Sequence, residues 1–362
     1  MGTYTARDRA RTAIAKLAGG EPDGDAFRYE AVALLHSAIG VDGWGWLDTD
    51  PGAGLPVHDY GENVVADRAL RRLFRLAPEA WNEPAKTGGQ ATAASAPPVA
   101  TLSAATRGDL RRDMVWRELF GPAGVGDKMR AQLVDGGMCW AFLQVHRDGS
   151  SKHYGEEDVG LVADVAPFLA HRIRADLRAP VPREAAMDLE PGTLILDQDQ
   201  SLVAGTEQAW RWIDRLGIRG TSDAEPLPGN VYVVAAQVAN SPERQPARTR
   251  VRAADGSWVV IRAASLTTGS GTPAGYAVTL EAASADDLAP LLMRAWGLTS
   301  REGEVARLVI DGHSSEDIAA TLFISVHTAR DHLKAIYAKV GVSRRQDLAA
   351  VLTGRAPAGD CA

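Results

Sequence analysis

The sequence lacks the features that mark several large classes of protein. It has two cysteines, Cys139 and Cys361, which are too few for a disulfide framework or a cysteine-based zinc site. No stretch approaches the roughly 18 apolar residues that cross a bilayer, and the first residues are charged where a signal peptide would be apolar. These absences predict a cytoplasmic protein that makes no membrane contact.

Signatures of catalysis are also missing. The sequence holds no glycine-rich phosphate loop, no nucleophile elbow and no His-Glu zinc motif. His146 and His153 lie near Cys139 in the sequence, but their spacing matches no metal or haem ligand pattern. The N-terminal part also lacks the acidic pocket and phosphoacceptor aspartate of a response-regulator receiver domain. We therefore expect no enzyme, no bound metal and no cofactor.

Positive charge is scarce overall. With 46 acidic and 39 basic residues the net charge is −7, so any affinity for nucleic acid has to come from a local basic surface. A chain of 362 residues exceeds one typical domain, and an apolar fraction of 45% is ordinary for folded globular protein. We therefore expect two or three folded domains.

The sequence predicts a multidomain α+β protein, because its composition separates the chain into distinct blocks. Residues 1–178 and 184–283 mix helices with strands, whereas residues 298–356 are predicted to be all helical. Alternating prolines between the first two blocks favour an extended linker. Residues 284–297 begin with serine and aspartate and end at Gly297, which predicts a short connecting helix.

The first block combines both kinds of element. Apolar spacing predicts helices over 28–39, 107–120 and 156–178, strands over 41–47 and 138–145, and a loop over 91–106. The closing strand, within 136–147, and the helix that starts at Glu156 resemble those of a GAF domain. The resemblance implies a GAF-like sensory fold for residues 1–178.

The second block opens with a predicted hairpin over Gly192–Leu202, in which a polar turn separates two apolar strands. A helix is predicted over 206–216, and strands over 247–253, 257–265 and 274–281. This order of a hairpin, helical pieces and three antiparallel strands resembles a PAS-type sensor fold. The resemblance implies a second, PAS-like sensory module over residues 184–283.

Large aromatic residues cluster in the first block, at Trp44, Trp46, Trp116, Trp140 and Phe142. Such rings could line a ligand pocket together with a few polar groups. Four of them alternate along the predicted strands, which is also how buried core residues are spaced. The sequence favours core packing for most of these rings and leaves a pocket in the same interior open.

The third block shows the starts and ends of several short helices. Capping residues are predicted at Thr299 or Ser300, at Ser314 or Ser315, at Ser325 and at Ser343. Gly312 and Gly341 are placed to end the first and third helices. The third helix is predicted over Val326–Val340, directly after a tight turn at 323–325.

The third helix, Val326–Val340, divides into two faces. One face is a continuous apolar stripe made by Ala329, Leu333, Ile336, Tyr337 and Val340. Between Ser325 and Arg345 a single acid, Asp331, stands against five basic residues, which are Arg330, Lys334, Lys339, Arg344 and Arg345. Such a local excess of positive charge is typical of a helix that lies in the DNA major groove between phosphate contacts.

These residues strongly resemble the LuxR-type (NarL/GerE-like) helix-turn-helix domain. The matching elements are Leu298–Glu302, the turn region 312–325, Thr328, His332–Leu333, Ile336–Tyr337, Lys339 and Gly341–Val342. The resemblance implies that Arg330, Asp331 and Lys334 reach bases. It implies phosphate contacts from Thr328, His332, Lys339 and Arg344. Two positions depart from the family pattern: Ala329 replaces the usual valine, and Asp331 brings a negative charge towards the duplex.

The sequence therefore predicts a transcription regulator that binds double-stranded promoter DNA as a homodimer. A small-molecule effector bound by the N-terminal blocks would shift the population of protein able to bind DNA, and RNA polymerase is an expected partner. The alternative is a ligand-sensing signalling protein that acts through protein contacts. The salt dependence of binding distinguishes the two hypotheses, because DNA binding weakens steeply as the salt concentration rises.

Overall fold

The computed structural model describes residues 5–20, 25–62, 98–179, 189–217, 227–241 and 245–356. Within these ranges the chain forms two antiparallel sheets followed by a group of short helices. Residues 91–97 of the predicted 91–106 loop lie outside the described residues. No helix in the described ranges is both long enough and apolar enough to span a bilayer.

The first sheet has five strands: β1 Gly43–Asp50, β2 Leu55–Glu62, β3 Val99–Thr101, β4 Val125–Asp135 and β5 Met138–Asp148. They pair antiparallel in the order β2-β1-β5-β4-β3. The helices of this part are α1 Ala6–Ala18, α2 Ala26–Ile39, α3 Leu102–Ala105 and α4 Glu156–Asp176. Helix α4 lies across β3, β4 and β5, and α1 packs on both α2 and α4. One face of the sheet is therefore buried under helices.

Two stretches of the first block differ from their predictions. Residues 99–105, expected to be a loop, form β3 and the single turn of α3. The helix expected over 107–120 is only a short 3-10 turn followed by the π turn Trp116–Phe120. Arg107 and Gly108 adopt φ values of 55° and 82°, a left-handed conformation that a right-handed helix cannot contain. The backbone at these two residues therefore breaks the predicted helix.

The second sheet repeats the arrangement of the first. Its strands are β6 Gly192–Leu196, β7 Leu202–Gly205, β8 Ala247–Arg252, β9 Trp258–Thr267 and β10 Pro273–Ala282. They pair antiparallel in the order β7-β6-β10-β9-β8, so that the first strand again lies beside the last. Helix α5 Glu207–Leu216 follows the hairpin, and α6 Gly229–Asn240 precedes β8. The two sheets therefore share one topology, although the sequence shows no repeat.

Helix α6 is an addition to the predicted elements. Its valines favour a strand by propensity alone. The helix nevertheless packs on β8, β9 and β10 and also on β2 of the first sheet, and Asn230 donates a hydrogen bond of 3.1 Å to the Val57 carbonyl. Nine of its residues are buried, and a helix enclosed on several sides needs no polar face. Helix α6 thus joins the two sheets.

A buried ion pair also joins the two sheets. Asp50 at the end of β1 lies 2.8 Å from Nε of Arg250 on β8, and their side chains are 0% and 6% exposed. The Arg250 guanidinium also donates to the Asp287 carbonyl at 3.1 Å. A Cβ at Gly52 would lie 2.7 Å from Nη1 of Arg294 and 2.9 Å from Nη2 of Arg250, so a larger residue there would displace the two guanidinium groups.

The C-terminal part is helical, with α7 Ala285–Ala295, α8 Ser300–Ile310, α9 Ser315–Leu322, α10 Val326–Val340 and α11 Arg345–Leu352. The bounds of α10 are those predicted from the sequence. The four helices from α8 to α11 enclose a separate apolar core whose residues include Val305, Val309, Ile318, Ile336 and Leu348. This core is small, and α7 contributes to it from the side.

Helix α7 is shared between two cores. One side of it contributes Leu288, Leu291, Leu292 and Ala295 to the core under the first sheet. The other side contributes Ala289 and Met293 to the core of the last four helices. Arg174 and Arg178, at the end of α4 and just beyond it, each donate to the Ala295 carbonyl at 2.9 Å. The last turn of α7 is therefore fixed to the first sheet's helical layer.

Candidate nucleic-acid interface

The helices of this surface begin at side-chain caps. Thr299 and Ser314 belong to capping boxes, in which the third helical residue also bonds back to the cap. Ser325 Oγ accepts a hydrogen bond of 3.0 Å from the Thr328 amide at the start of α10. Gly341 ends α10 with a φ of 74°. These local bonds explain why the bounds of α10 could be read from the sequence.

The turn between α9 and α10 exposes an aromatic side chain. Phe323 ends α9 in the left-handed conformation, with a φ of 54°, and is 95% exposed. This conformation costs a residue other than glycine roughly 1–2 kcal/mol. The Ile324 amide donates to the Ala319 carbonyl at 3.0 Å, which closes the turn. This turn therefore joins α9 to α10 within three residues.

One face of α10 packs on neighbouring helices and the opposite face is open. Buried positions are Ala329, Leu333, Ile336 and Val340, with Tyr337 half-buried. Exposed positions are His327, Thr328, Arg330, Asp331, Lys334 and Lys339, with His332 half-buried. The apolar stripe predicted from the sequence is therefore the packed face. The structure gathers the predicted DNA-contacting residues of this helix on or beside its open face.

The charges on the open face form weak pairs. Arg330 lies 3.1 Å from Glu316 of α9, with side chains that are 66% and 62% exposed. Asp331 lies 3.5 Å from the His327 ring one turn earlier. Lys334 enters no ion pair with any described residue. Exposed pairs of this kind contribute about 0–1 kcal/mol, so Arg330 can exchange its partner at little cost.

Lys339 is held more firmly than its neighbours. Its Nζ lies 2.6 Å from the Glu302 carboxylate and 3.2 Å from the Gly297 carbonyl. Burial alone would raise the pKa of Glu302, but hydrogen bonds from Lys339 and Thr299 bring it below its ordinary value. Lys339 therefore ties α10 to the start of α8. The sequence predicted an N-cap at Thr299 or Ser300, but it did not predict the capping box with Glu302 or the partner of Glu302 on another helix.

The two arginines after α10 have different surroundings. Arg344 is exposed and occupies the N-cap position of α11 without a side-chain cap bond, whereas the sequence predicted Ser343 as the cap. Arg345 donates to the His313 carbonyl beyond the end of α8. Arg344 enters no ion pair within the described ranges. It lies at the far end of α10 from Thr328.

The five aromatic residues considered as a pocket do not lie together. Trp44, Trp46 and Trp140 pack in the core under α4, and a register shift between β4 and β5 leaves Trp140 unpaired and turned to that side. Phe142 is buried but stays outside this core. Trp116 is half-buried and donates to the Val125 carbonyl at 3.0 Å. No two of these five rings stack on one another.

Solved structures similar to this chain include two ligand-bound proteins. The Vibrio cholerae VqmA–ligand–DNA complex aligns over 47% of this chain and 86% of its own, with 16% identity and a TM-score of 0.23. SdiA in complex with octanoyl-rac-glycerol aligns over 98% of this chain and 97% of its own, with 11% identity and a TM-score of 0.36. TM-scores this low do not establish a shared fold.

Sequence comparison is informative for the last helices. HTH-type transcriptional regulators of Mycobacterium bovis and Mycobacterium tuberculosis are 48% identical to this chain over 56 residues, which are 15% of this chain. The match spans 6% of the length of these relatives. Residues 297–352 match the family of bacterial regulatory proteins of the luxR type. The C-terminal segment of the chain, from α8 to α11, is therefore a helix-turn-helix domain of the luxR family.

Proposed function

We propose that this protein is a DNA-binding transcription regulator, and not an enzyme, that contacts double-stranded promoter DNA through α10. The observation that carries the proposal is the open, basic face of α10 inside a luxR-family domain. The net charge of −7 opposes a general attraction to DNA. The attraction to DNA therefore has to come from the local excess of positive charge between Ser325 and Arg345.

Base recognition falls to three exposed residues of α10. Arg330 has the geometry to pair with O6 and N7 of a guanine once it leaves Glu316, and that exchange is cheap because both side chains are exposed. Lys334 reaches the same acceptors one turn later. Asp331 accepts from the N4 amino group of a cytosine, and without that base its charge weakens binding.

Phosphate contacts position the helix in the groove. We assign them to Thr328, His332 and Arg344, which lie along the open face and at its far end. Lys339 contributes in a secondary way. Its ammonium has three donors, two of which bond Glu302 and the Gly297 carbonyl, and the third is available to a phosphate.

The N-terminal part is proposed as the sensory region. We divide it into a GAF-like module over residues 1–178 and a PAS-like module over 184–283, followed by a connecting helix over 284–297 and the helix-turn-helix domain over 298–356. Each module contains one five-stranded antiparallel sheet with its own helices. A small-molecule effector in this region would regulate DNA binding.

Helix α7 supplies the route from the sensory region to the DNA-binding domain. Because it contributes to both cores, a shift of the first module against α7 changes how α8 packs on it. Arg307 of α8 also bonds Asp286 of α7 at 2.7 Å. An effector would act by favouring one of two arrangements of this contact. We further propose that the protein binds a two-fold DNA site as a homodimer and acts on RNA polymerase.

The test is selection of duplexes from a randomised DNA pool by the full-length protein. Wild type is expected to enrich one sequence family, and Arg330→Ala is expected to lose preference at one guanine position, by about 1–3 kcal/mol. Asp331→Ala should relax preference at a neighbouring cytosine if it reads a base. It should raise affinity for all sequences if it does not.

A matched control removes a positive charge elsewhere. Lys152 is exposed in the turn after β5, and Lys152→Ala is expected to enrich the same sequences as wild type. Failure of the wild-type protein to enrich any sequence, with salt-insensitive capture of a protein partner instead, would favour a signalling protein that acts through protein contacts.

A further inference from the structure

The side of α4 that faces away from the first sheet carries a regular row of exposed residues. They recur at intervals of three or four and comprise Glu157, Gly160, Asp164, Phe168 and His171. Residues with this spacing lie in one line along a helix, and this line is called the outer stripe below. The opposite side of α4 packs on β3, β4 and β5. A helix that is covered on one side usually presents polar residues on the other, and an aromatic ring with a glycine departs from that pattern.

Phe168 and Gly160 are the two unusual members of the outer stripe. The Phe168 side chain is 38% exposed. A Cβ at Gly160 would meet no atom of the described chain within 4 Å, so the fold does not require a glycine at this point. Glycine inside a helix is also less favourable than alanine. An exposed ring and an unneeded glycine, about two turns apart on one line, indicate that another surface covers this side of α4.

Helix α1 lies beside α4 and runs in the same direction. Arg7, near the start of α1, pairs with Glu157 at 2.8 Å, and Arg172, near the end of α4, donates to the Leu17 carbonyl at 3.4 Å. A groove of about 430 Å³ opens between the outer sides of the two helices. Its lining residues are Asp8, Arg11, Thr12, Ala15 and Phe168. Because Phe168 belongs to both, the outer stripe and the groove form one continuous surface.

Both helices are acidic where they begin and basic where they end. Glu156 and Glu157 lie in the first turn of α4, and Arg174 lies in its last turn. In α1 the first turn holds Asp8 and the last turn holds Lys16. This distribution suits the dipole of each helix. Because α1 and α4 run in the same direction, it also makes their outer surface complementary in charge to a second copy that lies antiparallel to it.

The members of the outer stripe are arranged symmetrically about Asp164. A two-fold axis at this residue places Gly160 of one copy opposite Phe168 of the other. The same axis places Glu157, whose side chain is 81% exposed, opposite His171, whose side chain is 66% exposed. The exposed ring then meets the open space beside a glycine, and an acidic side chain meets a ring that can carry a positive charge. A second copy of this chain therefore matches the outer stripe in both shape and charge.

We propose that the outer stripe and the groove form the interface of a homodimer in which the two α4 helices lie antiparallel. Phe168 of each copy packs on Gly160 of the other, and the groove beside it is filled by the second copy. Like charges meet only at the axis, where each Asp164 already lies 3.5 Å from Arg11 of its own chain. The proposal rests on the proposed function for the existence of a dimer, and it assigns the contact surface to α1 and α4.

The test is sedimentation velocity of the full-length protein, without DNA, over a range of protein concentrations. Wild type is expected to dimerise, and Phe168→Asp is expected to raise the dissociation constant of the dimer by about tenfold or more. Met114→Asp is the matched control, because Met114 is 44% exposed outside α1 and α4, and it should leave the dissociation constant unchanged. A wild-type protein that stays monomeric at every concentration overturns the proposal, and so does a Phe168→Asp protein that dimerises like wild type.

A second variant fills the space that the glycine leaves open. Gly160→Leu is expected to weaken dimerisation by about tenfold or more, because its side chain occupies the place of the second copy's Phe168 ring. Leucine favours a helix more than glycine does, so circular dichroism should show at least the wild-type helix content. Wild-type dimerisation of Gly160→Leu overturns the proposal. A loss of helix content does so too, since the fold itself would then need the glycine.

An exchange of charges tests the antiparallel arrangement. Glu157→Lys and His171→Glu should each weaken the dimer, because each places like charges opposite one another across the axis. The double variant Glu157→Lys/His171→Glu should recover most of the lost affinity. Within one chain these positions are about 21 Å apart along α4, so they cannot compensate for each other there. A double variant that dimerises no better than either single variant would overturn the arrangement.

Failure of this interface and failure of the proposed function give different results. Dimerisation is measured without DNA, and selection of DNA sequences depends on α10. A dimer that Phe168→Asp and Gly160→Leu both weaken, in a protein that selects no DNA sequence, would overturn the regulator and keep the interface. A protein that selects a DNA sequence, but whose dimerisation ignores both variants, would overturn the interface and keep the regulator.

Discussion

The ion pair between Asp50 and Arg250 offers a quantitative test of how the two sheets are joined. The Asp50 carboxylate lies 2.8 Å from Arg250 Nε and also accepts from the Gly52 and Arg250 amides at 2.9 and 3.1 Å. Asp50→Ala removes all of these bonds and leaves a buried guanidinium uncompensated. Loss of one partner from a buried pair costs about 3–5 kcal/mol.

Replacing both partners should cost much less. In Asp50→Ala/Arg250→Leu the buried charges are both gone, and a buried pair exchanged for apolar residues is often close to neutral. Urea unfolding of the full-length protein, followed by tryptophan fluorescence, gives the midpoint of the first transition, since several folded units need not unfold together. Asp109→Ala is the control, because Asp109 pairs with Arg111 at an exposed site and should change stability by less than about 0.5 kcal/mol.

Two outcomes would refute this reasoning. The free energy of unfolding of Asp50→Ala could lie within about 1 kcal/mol of the wild-type value. That result would mean that water reaches the ion pair and that the pair contributes no more than an exposed one. Alternatively, the double variant could be no more stable than Asp50→Ala. In that case the loss would come from the orphaned amides and not from the uncompensated Arg250.

Three further predictions concern single side chains. Lys339→Met should weaken hydrogen-exchange protection in α8 and α10 by about 1–3 kcal/mol, because it strands the nearly buried Glu302; unchanged protection would contradict this. Because the folded pKa of Glu302 is lowered, its stabilisation is present above the unfolded pKa and is lost as pH falls through the folded pKa, so Glu302→Gln should remove that acid sensitivity. Phe323→Gly should raise stability by up to about 1 kcal/mol, since Phe323 is left-handed and exposed, and a lower melting temperature would argue for hidden packing. Trp140→Ala should cost about 3–5 kcal/mol and Trp116→Ala distinctly less, and equal losses would contradict their different burial.

The helix-turn-helix domain could be predicted closely because its signals are local. Ser325 and Gly341 mark the ends of α10 within a few residues of the bonds they make. The apolar stripe on α10 has the period of a helix, so the packed and open faces follow from the sequence as well. No distant contact is needed to place these residues.

Elsewhere the deciding contacts were distant in the sequence. The valines of α6 favour a strand by propensity, and its packing on β2 and on the second sheet depends on contacts that are distant in the sequence. Simple alternation puts Trp140 and Phe142 on one face, but a register shift turns Trp140 to the other. Strand β4 is not among the elements predicted from the sequence, although the residues of β4 alternate in burial along most of its length.

In the candidate site, too, local features could be predicted from the sequence and contacts between helices could not. The exposed residues of α10 could be named from the sequence, because they alternate with the apolar stripe. The partners that modify them could not, since Glu302 and Glu316 lie on other helices. Pairing of this kind depends on how helices are packed together, and sequence spacing carries no such information.

The central claim is that the open face of α10 supplies the contacts to DNA. Fluorescence anisotropy of the selected duplex, measured over a range of salt concentrations, tests it most directly. Arg330→Ala/Lys334→Ala should lose sequence preference, and Arg344→Ala should lower the slope of log affinity against log salt by about one. Lys152→Ala should match wild type in both quantities. An Arg330→Ala/Lys334→Ala protein that binds the selected duplex with wild-type affinity and preference would contradict the account.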